Sequence, residues 1–274
     1  MKIRQSDASA ITVVITGGAR GIGFGLALEF LKRGAAVMIS SRGVQSLDAG
    51  LERLRTASGS VRVYGQLCEV SDPIQVQHLW DVSLRQFGKV DIWINNAGLG
   101  QAQCPLDQLP DETIDSICAT NITGALYGCK TALAGMKQQK QGAIYNMEGL
   151  GSSGGLIVGM TVYGASKRAL AYITDSLAKE AKGSSVLVGA LRPGMTATDL
   201  ITAEYRDRPD EWNKVRKIFN ILSDTVETIA PWLVEHMLTN KKNGVRFTWL
   251  TGAKAAWRFM SSPFVKRQIY PDTL

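Results

Sequence analysis

AITVVITGGARGIGFGLALEFLKRG, Ala10 to Gly34, decides the fold of this chain. It opens with a continuous apolar and β-branched run, Ala10 to Thr16, the pattern of a strand buried on both faces, as in a parallel sheet. It closes with Phe24, Leu28 and Leu31 at helical spacing until Gly34 stops them. Between the two lies TGGARGIG, Thr16 to Gly23. Glycines at 17, 21 and 23 let the backbone turn tightly and approach a pyrophosphate. The helix start then offers free N–H groups and the positive end of its dipole. Strand, glycine turn and helix together predict a dinucleotide site.

The alternation continues outward from this unit. Ala35 to Ser41 reads as a second strand, and it ends in Arg42. An NAD site usually carries Asp or Glu at that point, to hold the ribose 2′-hydroxyl, and such an acid would repel a 2′-phosphate. Here Ser40, Ser41 and Arg42, with Arg20 in the glycine turn, favour NADP(H). A helix over Val44 to Ala57 and a strand over Val61 to Leu67 follow. A helix capped near Asp72, with Pro73 in its first turn, then runs to about Phe87. Strand Val90 to Asn95 ends in NNAG, where Asn95 and Asn96 can bond backbone while Ala97 and Gly98 leave room for a flat ring system. Such alternation belongs to a doubly wound α/β sheet covered by helices.

Pro110 to about Gln139 is long and helical, with Asn121 near its middle. After strand Ala143 to Met147 and the flexible EGLGSSGG comes TVYGASKRAL, Thr161 to Leu170. Tyr163 and Lys167 stand four residues apart, so a helix projects both from one face. A phenol with a pKa of about 10 is a poor acid near neutrality, and a lysine ammonium held close would bring it down. Strand Val186 to Leu191 ends in RPGMTATDL, where Pro193 and Gly194 turn the chain outward and Thr196 and Thr198 offer hydroxyls. Ile201 to Asp224 is charged, with Glu204, Arg206, Asp207, Arg208, Asp210 and Glu211 around Trp212, and reads as a lid. A helix near Val226 to Leu238 and a strand over Gly244 to Thr251 complete one expected domain, 1–274. The lid spans about 195–225 of it and a basic, aromatic tail about 252–274.

Composition bounds the function. With 45% hydrophobic and 20% charged residues the chain reads as an ordinary globule, and no apolar run reaches the roughly 18 residues of a membrane span. Cys68, Cys104, Cys118 and Cys129 show no paired C-x-x-C spacing, which argues against a zinc site or a disulfide framework and for reduced intracellular thiols. His78 and His236 lack partners at metal-ligand spacing, so no metal site is expected. MKIRQSDASA is too short and polar for a secretory or transit signal, so the expected location is cytoplasmic, or the plastid stroma if a signal has been removed. The net charge of +7 admits nucleic acid, an anionic cofactor or an anionic membrane. Specific DNA binding is not expected. The tail concentrates Lys254, Arg258, Lys266 and Arg267 among Trp257, Phe259 and Phe264. It could dock on its own domain, on a neighbouring subunit or on a membrane surface.

The ordered set TGGARGIG, NNAG, Asn121, YGASK and RPG resembles the short-chain dehydrogenases/reductases over nearly the whole chain. The resemblance implies a Rossmann-type domain with a seven-stranded parallel sheet, and hydride exchange between a nicotinamide and a carbonyl or alcohol carbon. Tyr163 would protonate the carbonyl oxygen, Lys167 would bind the nicotinamide ribose and lower the Tyr163 pKa, and Asn121 would hold a relay water. The cofactor set would be Gly17, Arg20, Gly21, Ile22, Gly23, Ser41, Arg42, Glu69, Val70, Asn95, Ala97, Gly98, Pro193, Gly194, Thr196 and Thr198, with Tyr163 and Lys167. Glu69 would lie beside the adenine, Asn95 would close the cleft, and Thr198 would orient the carboxamide. Relatives are commonly homodimers or homotetramers through the helices bearing Asn121 and Tyr163.

One position departs from that pattern. The family's substrate-binding serine, thirteen residues before the tyrosine, is Leu150 here, and Ser152 and Ser153 follow it. NMEGLGSSGG before VYGASK, RPGMTATDL, the stretch Lys217 to Val234 and the tryptophan-bearing tail are similar to the chlorophyll b reductases, a branch of the same superfamily. That similarity implies NADPH-dependent reduction of the 7-formyl group of a chlorin, with Ser152 in the serine's place. Leu200, Ile201, Tyr205, Trp212, Ile218 and Phe219 would then wall a wide cleft, and the tail could meet a photosynthetic membrane. Two other readings stand beside it. One is a reductase of a smaller, steroid-like or acyl-like ketone, and the other is an NADP-binding sensor without turnover.

Overall fold

The computed structural model of the chain describes residues 11–198, 202, 205 and 208–270. Ala10, Leu200, Ile201, Glu204, Arg206, Asp207 and residues 271–274 lie outside that description. The strands are β1 (Thr12–Ile15), β2 (Ala36–Ser41), β3 (Val63–Leu67), β4 (Ile92–Asn95), β5 (Gly142–Met147), β6 (Val186–Arg192), β7 (Thr196–Ala197), β8 (Asp224–Thr225) and β9 (Val245–Thr248). Seven pair in the order β3-β2-β1-β4-β5-β6-β9, all parallel, as the family resemblance implies. The pairing of β7 with β8 in a separate parallel ladder has no counterpart in the sequence reading.

The helices are α1 (Gly21–Lys32), α2 (Val44–Ser58), α3 (Pro73–Phe87), α4 (Asp111–Cys118), α5 (Ala125–Gln139), α6 (Thr161–Glu180), α7 (Pro209–Leu222), α8 (Val226–Thr239) and α9 (Gly252–Ser261). Strand periodicity sorts them into two layers. Val13, Ile15, Val37 and Ile39 point to one face, where Leu26 and Phe30 of α1, Leu51 of α2 and Leu233 of α8 cover them. Val14 and Met38 point to the other, against Trp80 of α3, Ala132 of α5 and Leu177 of α6. Asp72 caps α3 as its position predicts, its Oδ1 accepting from the Ile74 and Gln75 amides.

The expected long helix from Pro110 is interrupted. Ala119–Gly124 forms a π-helical turn between α4 and α5, with Asn121 inside it. Gly124 packs so closely that a Cβ there would lie 2.7 Å from Val70 Cγ2. Within this turn the Asn121 side chain reaches the loop after β4.

The C-terminal segment docks on the lid through its charges. The carboxylate of Asp224, in β8, accepts from Trp249 Nε1 at 2.6 Å, from Arg258 Nη2 at 2.6 Å and from Arg267 Nη2 at 2.5 Å. Burial pushes this carboxyl up, but these hydrogen bonds and the two guanidinium charges outweigh it and hold it below the usual carboxylate range. Asn220 Oδ1, on α7, accepts from the Ile269 and Tyr270 amides. Helix α9 is therefore inverted: Arg258 is buried, while Trp257 and Met260, and Phe264 just after the helix, are 60%, 70% and 88% exposed.

Candidate active site

Successive strands step away from β1 in opposite directions at the β1–β4 boundary, which leaves a crevice outside their carboxyl ends. Thr16 Oγ1 accepts from the amides of Asn96 and Ala97 at 3.0 and 3.1 Å, and Asn96 Nδ2 donates to the carbonyls of Thr16 and Gly17. The glycine turn and NNAG are thus stitched into one floor. Gly17 adopts φ +63, and a Cβ there would stand 2.9 Å from Ala97 Cα. Only glycine satisfies both conditions. Arg20 at the N-cap of α1 makes no side-chain cap bond and the first turn carries no acid, so the helix start presents its N–H groups to an anion.

Arg20, Ser41, Arg42, Gly43 and Ser46 line an open cleft of about 490 Å³. The sequence reading anticipates Arg20, Ser41 and Arg42 but not Ser46, whose signal is its place in the first turn of α2. Arg42 also lies 3.6 Å from Glu69, whose other oxygen accepts from Ser71. Ile22 is half-buried against the sheet, Pro193 is buried and Gly194 is exposed. Thr198 leans over the glycine turn, its Cγ2 3.7 Å from where a Gly21 Cβ would be. The hydroxyls of Ser40 and Thr196 are buried without a hydrogen-bond partner among the described residues. The backbone cradle, the Ser41 and Ser46 hydroxyls and the guanidinium groups of Arg20 and Arg42, the latter shared with Glu69, fit a phosphorylated dinucleotide.

One of the two predicted asparagines is placed differently from expectation. Asn95 does not close the cleft; it is buried, accepting from Trp93 Nε1 at 2.7 Å and donating to Asn146 Oδ1 at 2.8 Å. Its neighbour Asn96 holds the cleft floor instead. Asn121 bonds the Leu99 backbone both ways, accepting from its amide at 2.8 Å and donating to its carbonyl at 3.0 Å, and it also donates to Ser166 Oγ. Its side chain anchors the β4 loop against α6. Gly98 lies between them, with Asn121 Oδ1 and Lys167 Nζ 3.4 and 3.6 Å from its virtual Cβ.

Tyr163 and Lys167 share one face of α6, and Lys167 Nζ lies 5.6 Å from the Tyr163 ring. The expected lowering of the phenol pKa is not what this arrangement produces. Burial pushes Tyr163 up to about 12, and burial pulls Lys167 down to about 8 against the opposing pull of Glu148. Lys167 Nζ donates to the Met147 carbonyl at 3.1 Å. Tyr163 is thus a reserve of one proton that stays on oxygen across neutral pH.

The missing serine has a structural answer at a different position. A Cβ on Gly149 would lie 2.8 Å from the Tyr163 hydroxyl, so the backbone beside the phenol is Gly149 and not Leu150, whose side chain is half exposed. Ser152 is buried and Ser153 exposed; the Ser152 carbonyl accepts from Arg168, and Gly151 packs on Gly164. The loop thus lies against the first turns of α6. Beyond it Leu156, Ile157 and Val158 are exposed, Leu156 by 96%. The aromatic lid residues serve otherwise than expected: Tyr205, Trp212, Phe219 and Tyr270 pack on one another, with Tyr205 and Trp212 ring centres 5.7 Å apart, and form the lid's own core. Ile218 is exposed. Among the described residues no His, Cys, Asp and Glu cluster could hold a metal.

Residues 11–209 match a family model described as short chain dehydrogenase. The chain is 36% identical over 255 residues to a probable chlorophyll(ide) b reductase NYC1, chloroplastic, of Oryza sativa subsp. japonica, covering 87% of this chain and 49% of that protein. It is 35% identical over 269 residues to the chlorophyll(ide) b reductase NOL, chloroplastic, of the same organism, covering 94% of this chain and 76% of that one. The chain therefore spans about half the length of the first relative and three quarters of the second. The crystal structure of a levodione reductase superposes with a TM-score of 0.82 at 24% identity, over 90% of this chain and 98% of that one, and shares the fold.

Gly149→Ala should push the Tyr163 hydroxyl out of place while leaving the far-ultraviolet circular dichroism unchanged. Reductase turnover, followed by nicotinamide absorbance, should fall about 100-fold. An unchanged rate would show that the close approach carries no functional weight.

Proposed function

The chain belongs to the short-chain dehydrogenase family, and from that premise we propose that it is an NADPH-dependent carbonyl reductase acting on the 7-formyl group of a chlorophyll or chlorophyllide b, giving the hydroxymethyl product. The observation that carries the substrate class is the Gly149 to Gly159 loop. It keeps side chains away from the Tyr163 hydroxyl at one end and exposes Leu156, Ile157 and Val158 at the other. A large flat apolar carbonyl compound needs both open space at the reacting carbon and an apolar wall. The two plant relatives, whose names specify chlorophyll(ide) b reduction and chloroplasts, support the same reading and a plastid setting.

NADPH, when bound, supplies the hydride that reaches the formyl carbon. Tyr163 holds the proton that passes to the formyl oxygen, and its high proton affinity keeps that donor loaded at neutral pH. Lys167, held by the Met147 carbonyl, provides positive charge near the phenolate left behind. Arg20, Arg42, Ser41 and Ser46, which line the cleft beside the glycine turn, would hold the 2′-phosphate of NADPH. Ser152 is the hydroxyl assigned to the substrate oxygen.

No helix among the described residues is long and apolar enough to cross a membrane. The inverted helix α9 suits an anionic bilayer surface instead. Its outward Trp257 and Met260, with Phe264 just beyond it, can enter the acyl boundary, while the exposed Lys266 and the net charge of +7 favour anionic headgroups.

Incubation with NADPH and chlorophyllide b should yield a product two hydrogens heavier, and Tyr163→Phe should slow its formation about 10²- to 10⁴-fold. No mass gain despite NADPH binding would reject the substrate. Arg20→Ala with Arg42→Ala should raise the KM for NADPH about 10- to 100-fold and leave that for NADH nearly unchanged; equal losses would place the 2′-phosphate elsewhere. Vesicles containing phosphatidylglycerol should sediment the protein, neutral vesicles should not, and Trp257→Ser with Phe264→Ser should abolish the effect. A stable dimer sealed by the same residues, with no vesicle binding, would reassign the face.

A further inference from the structure

Glu148 has no role in the chemistry described so far, yet its side chain is fully buried at the exit of β5. The residues on either side of it each touch one member of the proton-transfer pair. Met147 accepts from Lys167 Nζ at 3.1 Å, and Gly149 abuts the Tyr163 hydroxyl. Around Glu148 itself, Arg192 Nε at the end of β6 bonds Oε2 and Arg246 Nε of β9 lies 3.3 Å from Oε1. Arg246 continues to α6, reaching Asp175 at 2.6 Å and the Ala171 carbonyl at 3.3 Å. The Glu148 amide donates to the Leu191 carbonyl at 2.9 Å. Two strands therefore converge on one carboxylate, and α6 joins them through Arg246. Packing alone does not require it, since apolar residues of similar volume commonly replace a buried ion cluster at no loss of stability. What they could not supply is the charged clamp that ties the Met147–Gly149 backbone to β6 and β9.

We infer that Glu148 is a positioning residue for hydride-coupled proton transfer. Clamped by Arg192 and Arg246, its carboxylate fixes the Met147–Gly149 backbone against Lys167 and Tyr163. The inference rests on the proposed function only in taking Tyr163 and Lys167 as the reacting pair. The groups facing this point are Arg192 from β6, Arg246 from β9, and Asp175 and Tyr163 from α6; Asn121 from the π turn and Gly98 from the β4 loop bring no charge. Arg168 of α6 is directed to the Ser152 carbonyl. Burial lowers the proton affinity of Lys167, and Glu148 opposes that effect. Removing the carboxylate lets Lys167 lose its proton at lower pH. Removing a guanidinium does the reverse.

The test follows Lys167 by NMR of the chain carrying ¹⁵Nζ-labelled lysine, without cofactor, and identifies its signal by the loss in Lys167→Arg. In Glu148→Gln the Lys167 titration should move to lower pH by about one unit or more, and the basic limb of kcat against pH should follow it. Arg246→Gln should move both to higher pH, and Glu148→Asp should restore most of the wild-type profile. A Glu148→Gln protein that is merely less stable and less active, with the Lys167 titration unmoved, would overturn the inference. If Glu148→Gln does not fold, Arg246→Gln decides alone, and a shift to lower pH or none would overturn it. Shifted titrations in a protein that leaves chlorophyllide b unchanged would defeat the substrate assignment and leave the role of Glu148 standing.

Discussion

Everything in the site depends on how β1 and β4 end. Two parallel strands whose chains depart to opposite sides leave backbone amides without ladder partners, and these must be satisfied where water is largely excluded. Thr16 meets the need with one hydroxyl accepting two amides of the facing loop, and Asn96 closes the remaining carbonyls. The floor of the crevice is consequently rigid and has little room for side chains, which is what a pyrophosphate approached by bare backbone requires. Placing an anion at the start of α1 then follows from the strand ends.

The second constraint is electrostatic. Burial alone would make Tyr163 too weak an acid and Lys167 too weak a cation, since each loses its hydration shell. The fold compensates unequally, giving Lys167 a carbonyl partner and a nearby carboxylate while leaving the phenol neutral. The apo state is thus arranged to store a proton on oxygen and a charge on nitrogen.

Much of this was legible in the sequence, because periodicity and glycine punctuation act locally. Val13 to Ile15, the glycine turn, Asp72 before Pro73, and Tyr163 with Lys167 each carry their signal within a few residues. What escaped reading depends on contacts distant in sequence. Whether Asn95 or Asn96 faces the cleft turns on the pleat of β4 against Asn146 and Thr16. The place of Gly149 beside Tyr163 depends on the path of a loop, which counting thirteen residues back along the chain does not trace. Tyr205 and Trp212 looked like substrate walls because their mutual burial with Tyr270 joins segments nearly sixty residues apart. Arg258 looked like one more surface cation until its partner, Asp224, was in view.

The π turn at Ala119–Gly124 has a geometric consequence of its own. A π turn takes up one residue more than an α turn, so it shifts the phase of the helix that follows by about 100°. Ile117, before it, packs with Leu109 and Val162 near the loops, whereas Cys129 and Ala132, after it, lie against the sheet. One rod thereby serves two cores whose apolar stripes would otherwise be out of alignment. The phase offset, more than the identity of Asn121, is what a single-residue deletion in this turn would erase.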